Sequence, residues 1–239
     1  FRNGSMYLTY TNEGMPIGAF WGYKTDGLIQ TQEQLNAVKR ADFQPNAELG
    51  DVLFVDTNGD GKLDSSDRCM IGNPIPDIIY GINMGMAWKG FDLNLQFGGT
   101  IGNQIFNAMR YYTYFPNDIT NKDRALMNYW TPNNTNTDIP RLTATDVNDN
   151  DRFSDMYVEN GTYFRLRNAQ LGYTLPASLT QRIKLQKVRF YVSGQNLFTI
   201  SSYSGMDPEV GQSSSLSRGI DYGIYPQNIS FTGGINVTF

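Results

Sequence analysis

The closing stretch NISFTGGINVTF, residues 228–239, alternates without a break. Ile229, Phe231, Ile235, Val237 and Phe239 fall on one parity; Asn228, Ser230, Thr232, Asn236 and Thr238 fall on the other. Successive side chains of a β-strand point to opposite faces, so this pattern specifies a strand with one apolar and one polar face. FDLNLQFGGTI (91–101) repeats it with Phe91, Leu93, Leu95, Phe97 and Ile101 against Asp92, Asn94, Gln96 and Thr100. IIYGINMGMAW (78–88) puts Ile78, Tyr80, Ile82, Met84, Met86 and Trp88 on one face, and VRFYVSGQNLFTI (188–200) follows, with Asn196 on its apolar side. In TYFRLRNAQLGYTL the apolar parity switches between Leu166 and Ala169, and a β-bulge near Arg167-Asn168 would restore one continuous face.

Such strands approach the ~9–11 residues that cross a bilayer at a tilt, against about 5–6 for an average soluble strand. Lys89-Gly90 leaves room only for a tight hairpin turn, with the glycine free to take positive φ. Residues 176–187 make a moderate connection with one helical turn; residues 1–77, 102–162 and 201–227 are long. Short turns alternating with long connections, and aromatics at strand ends (Trp88, Phe91, Tyr173, Phe239), describe an outer-membrane barrel. The expected class is therefore all-β: about five or six antiparallel strands of a large transmembrane β-barrel with long extracellular loops. Five strands do not close such a barrel, so the chain reads as the C-terminal part of a longer one. Its opening FRNGSMYLTY, with neither initiator Met nor charged leader, agrees. Residues 1–77 would be mostly extracellular loop and 78–239 membrane strands and their loops. The competing reading is a soluble, calcium-stapled β-domain that binds carbohydrate, its apolar faces buried against a second sheet.

Histidine is absent and Cys69 is the single cysteine, which excludes His-based triads, His or paired-Cys zinc sites and an internal disulfide within the chain. A net charge of −4 without a basic patch gives no sign of nucleic-acid binding. Asp146, Asp149, Asp151 and Asp155 form an acidic run, but a polar loop of this kind is not a legible glycosidase acid pair.

DTNGDGKLDSSD (56–67) has the spacing of a twelve-position calcium loop. Asp56, Asn58, Asp60, Lys62 (through its carbonyl), Asp64 and Asp67 occupy positions 1, 3, 5, 7, 9 and 12, with Gly61 at the sharp turn. The ligand set is all oxygen, which favours calcium. No strong helix pattern flanks it, so the ion would staple a loop rather than operate a sensor. The alternative is an acidic turn whose Asp and Asn side chains bond their own backbone. A second cluster, Tyr111, Tyr112, Tyr114, Phe115 and Trp130, offers rings on which sugar or peptide would stack, or which would pack on one another.

GYKTDGLIQ (22–30), GDVLFVDTNGDGKLDSSDRCMIGNPIPDIIYGINMGMAWKGFDL (50–93) and NGTYFRLRNAQLGYTLP (160–176) resemble SusC/RagA-family TonB-dependent transporters. So do VRFYVSGQNLFTI (188–200), GMDPEVG (205–211), GIDYGIYPQ (219–227) and the strand ending in Phe239. The motifs run in order along nearly the whole chain; Trp88 and Cys69 are mild departures. The resemblance implies a barrel of about 22 strands with a plug, capped by a SusD-like surface lipoprotein and driven through the TonB-ExbB-ExbD complex. Oligosaccharides or oligopeptides would be imported, outer-membrane lipid would meet the apolar strand faces, and no enzymatic chemistry is implied.

Overall fold

Five long antiparallel strands form a meander: β1 (Ile78–Trp88), β2 (Phe91–Ile101), β3 (Tyr163–Thr174), β4 (Lys187–Ser201) and β5 (Ser230–Thr238). Each pairs with its sequence neighbour, so the sheet order is β5-β4-β3-β2-β1, with β1 and β5 at its edges. The computed structural model describes residues 2–3, 6–115, 121–210 and 215–239. These fall into two units, and no closed barrel forms among the described residues. The sheet unit comprises Pro76–Asn103, Gly161–Glu209 and Tyr225–Phe239.

The β1–β2 hairpin turns at Lys89 and Gly90, both at positive φ (46° and 87°), the backbone twist that two-residue hairpins require. The bulge falls where the parity break put it: the register of β3 against both neighbours shifts between Leu166 and Asn168. Beside it, β4 carries two unpaired residues, Asn196 (φ 53°) and Leu197, between Gln195 and Phe198. One extra residue inverts parity and two preserve it, which is why β3 changes parity in the sequence and β4 does not. Asn196 therefore sits in an irregularity, donating to the Asn228 carbonyl, instead of interrupting the apolar row.

The second unit comprises Phe1–Ile75, Gln104–Asn160 and Val210–Ile224, the three long connections. They fold together instead of trailing as loops. Thr9–Tyr10, Ala19–Gly22 and Cys69–Gly72 form a small antiparallel sheet, and Thr25–Leu28 pairs with Val52–Phe54. Gln104–Asn107 pairs antiparallel with Val158–Asn160 and parallel with Ile220–Asp221, joining the second and third connections, and Phe20 of the first packs on Phe106 (6.1 Å). Phe20, Phe106, Phe153, Tyr157 and Ile220 are fully buried in the largest core of this unit. Helix α1 (Gln32–Arg40) starts from a capping box in which the Thr31 side chain and the Gln34 side chain satisfy each other's amides, and it buries Leu35.

Candidate functional site

Strand register aligns the alternating residues into rows. On one face, Met86, Leu93, Leu171 and Val192 lie abreast, as do Trp88, Phe91, Tyr173, Phe190 and Ile235. This face is bare: Met86 is 66% exposed, Val192 61% and Phe231 79%. Aromatics gather near both of its ends. Phe91 and Tyr173 pack at 4.5 Å beside the hairpin, whereas Tyr80, Phe97 and Phe198 surround Phe164 (centroids 5.2–6.5 Å) toward the long connections. The alternation had pointed to the first group; the second depends on cross-strand register. The eight steps from Tyr80 to Trp88 cover about 27 Å along the strand, or about 20 Å across a bilayer once tilted.

The opposite face is polar. Asn83, Gln96, Asn168, Gln195 and Ser230 form one row, and Gly85, Asn94, Gln170, Ser193 and Thr232 the next. Thr100 and Asn236 share the face, opposite Tyr163 and Arg189. Two ion clusters cross it. Arg189 Nε donates to Asp92 Oδ1 (2.9 Å), bridging β4 and β2 over Gly172, where a Cβ would strike both partners. Toward the long connections, Arg165 is almost fully buried: Nε donates to Thr199 Oγ1 (2.8 Å), Nη1 to Glu209 (2.8 Å) and Nη2 to Asp207 (2.5 Å). Arg167, at the bulge, donates to the other Glu209 oxygen (3.0 Å) and to the Tyr163 hydroxyl (3.2 Å). Neither the pairing of Arg165 and Arg167 with Asp207 and Glu209 nor that of Arg189 with Asp92 stood out in the sequence. The available signal was the Arg-Leu-Arg of β3 beside the parity break, together with the Asp and Glu of GMDPEVG.

In the other unit, the acidic loop turns on its own amides. Asp56 accepts from Gly59 (2.7 Å) and Gly61 (2.9 Å), Asn58 from Asp60 (2.8 Å), and Asp60 from Lys62 (2.9 Å). Gly59 and Gly61 both take φ 78°, which a Cβ would oppose. Asp64 caps a single 3-10 turn, Ser65–Asp67, by accepting from Ser66 (2.7 Å). Asp67, fully buried, accepts from Asp64 (2.9 Å) and Thr57 (3.0 Å) and so closes the loop. The Gly61 amide, against burial and with Gly59 beside it, holds Asp56 below the usual carboxylate range; Ser66 does the same for Asp64. Both are thus anionic oxygen donors. Among the described residues no three acidic or Cys groups already gather as a metal cage, although an oxygen that accepts from an amide keeps lone pairs with which to meet an ion. Arg68, next along, donates to the carbonyls of Tyr7 and Trp21.

The five aromatic candidates do not form one platform. Tyr111 and Phe115 are buried in the largest core, with Tyr111 against Phe153 (5.2 Å) and Tyr157 (5.3 Å). Trp130 belongs to a different core, with its ring over Gly50. Tyr114 is half-buried under the Arg110 guanidinium, and only Tyr112 is largely exposed. Burying three of the five is what aromatic rings gain most from in water, and it removes those three as stacking surfaces. The acidic run is likewise structural: Asp155 accepts from the Thr25 amide and hydroxyl (3.0 and 2.6 Å), and Asp146 accepts from Asn150 (3.0 Å).

A meander of long strands with one bare apolar and one polar face has the architecture of a transmembrane barrel wall. No family model matches the chain. TonB-dependent receptor P3 of Formosa agariphila is 39% identical over 237 residues, which is 95% of this chain and 22% of that protein. TonB-dependent receptor SusC of Bacteroides thetaiotaomicron is 29% identical over 198 residues, 82% of this chain and 18% of that protein. The solved RagAB peptide transporter superposes with a TM-score of 0.70 at 24% identity, over 98% of this chain and 24% of that one. The chain belongs to the SusC/RagA family of TonB-dependent transporters. It spans about a fifth to a quarter of the length of the curated relatives it matches.

Proposed function

We propose that the chain forms part of the wall of an outer-membrane importer powered through TonB-ExbB-ExbD. The observation that carries this reading is the two-faced sheet. A soluble sandwich needs its apolar face covered, and here each of the five strands leaves large apolar side chains of that face exposed. In the proposed setting, lipid covers it, and the rows of Asn, Gln, Ser and Thr line the aqueous path. SusC-like membership favours a SusD-like lipoprotein as partner. The cargo class is an oligosaccharide or oligopeptide; the neighbouring fold is that of a peptide transporter. The test uses the whole receptor carrying this segment. It is expected to fractionate with outer membranes, to require detergent for extraction and to lose ligand uptake when TonB is deleted. A protein that stays soluble and monomeric without detergent would overturn the reading.

Calcium at residues 56–67 is the second part of the proposal. Asp56, Asn58, Asp60, Asp64, Asp67 and the Lys62 carbonyl would hold it, and a hard divalent cation would supply charge neutralisation and a loop staple. What supports it is the order of the oxygen donors and the two positive-φ glycines. Calcium titration of the whole receptor is expected to suppress proteolysis between Gly50 and Gly72. Replacing both Asp56 and Asp60 with Ala should abolish that protection; equal protection in the double variant would sink the site.

A further inference from the structure

The last long connection leaves β4 after Ser201 and rejoins the sheet at Ser230. Asp207 stands at its neck. One carboxylate oxygen accepts from the Glu209 amide (2.8 Å) and from Arg165, and the other accepts from the Gln227 amide (3.0 Å). A single side chain thus joins the outgoing and returning chain to β3. Glu209 is held from two sides, one oxygen by Arg165 Nη1 (2.8 Å) and the other by Arg167 (3.0 Å), and the settings differ. The Arg165 and Asp207 side chains are 3% and 7% exposed, those of Arg167 and Glu209 43% and 32%.

The bulge serves this arrangement. In a regular strand, residues 165, 167 and 169 would share a face, yet Ala169 belongs to the apolar row with Leu95 and Gly194. The extra residue lets Arg167 join Arg165 on the polar side, and Gly98 of β2 leaves free the space that the Arg167 side chain fills. A Cβ at Gly98 would lie 2.7 Å from Arg167 Nε.

We propose that residues 203–209 are a strap held on the polar face by a two-armed ionic clamp, in which the buried arm from Arg165 to Asp207 and Glu209 is permanent and the exposed Arg167–Glu209 arm can release. The inequality follows from solvent. A buried pair is scarcely screened, and removing one partner strands the other charge. An exposed pair is weak and yields to salt. The strap can therefore loosen at its Glu209 end, where Arg165 alone then holds the carboxylate, while its neck stays fixed.

Hydrogen–deuterium exchange of the whole receptor in detergent tests this. In the wild type, raising the salt concentration should speed exchange across 203–210 severalfold while amides of β2 are unaffected. Arg167→Gln should show that faster exchange already at low salt and no further response to salt. Asp207→Asn should speed exchange at both Glu209 and Gln227, by roughly tenfold or more, at any salt concentration. Should Asp207→Asn fail to fold, Arg167→Gln decides alone. Wild-type exchange and wild-type salt response in Arg167→Gln overturn the clamp, as does unchanged exchange in a folded Asp207→Asn.

Discussion

Individual carboxylates in the two halves of the loop unit answer to pH in opposite directions. Backbone amides lower Asp56 and Asp64, so their contribution is present above the unfolded value of about 3.9 and is lost as pH falls through their lower folded values. Burial raises Asp146 and Asp151, although amides at Asn150 and Asp151 partly offset this for Asp146. Their contribution is present below the unfolded value and fades as pH rises through the folded one. Acidification below about pH 4 is therefore expected to open 56–67 to an acid-active protease while 146–151 remains closed. Opening in the reverse order would contradict the assignment. Only the first of these settings was legible in the sequence. An Asx-rich turn makes its own hydrogen bonds over a few residues, whereas the burial of Asp146 depends on Asn150 and on Asp51, which lies far away along the chain.

At the scale of elements, local chemistry and distant pairing divide the work. The hairpin at Lys89-Gly90 is local: Gly90 takes φ 87°, and an added Cβ would lie 2.9 Å from the Thr174 carbonyl oxygen. Gly90→Ala is expected to cost about 1 kcal/mol or more, because a left-handed residue is being forced and crowded. Gly81→Ala lies within a regular strand with nothing nearer than 3.9 Å, and should be neutral or slightly stabilising. Denaturant midpoints of the two variants in lipid vesicles would separate them; equal losses would mean that turn geometry does not control the hairpin. The five long strands were readable because most of their large apolar positions repeat at period two, with one switch at the bulge of β3. The short strands of the loop unit were not, since pieces of two to four residues carry too few periods to register. Helix α1 left one trace, the Thr31-x-x-Gln34 box, but its apolar positions are too few to mark a face.

For the molecule as a whole, the two faces of the sheet have different solvents in the proposed setting, and adjacent residues report them. Val192 points to the apolar face and Ser193 to the polar one. Val192→Arg is expected to cost about 2–4 kcal/mol if it meets the bilayer interior, whereas Ser193→Arg should leave insertion nearly unchanged. The fraction of whole receptor extractable from outer membranes in folded form measures both, and equal tolerance would refute a lipid-facing surface. The sequence by itself determined the strands, their faces, the site of the bulge and the oxygen-rich turn at 56–67, because strand alternation and Asx turns are set by near neighbours. Only the tertiary structure decided that Tyr111, Phe115 and Trp130 are core, that three separate connections share one fold, and that Arg165 and Arg167 meet Asp207 and Glu209. Those outcomes depend on residues forty to more than a hundred positions apart competing for burial and charge, and no local pattern records who wins.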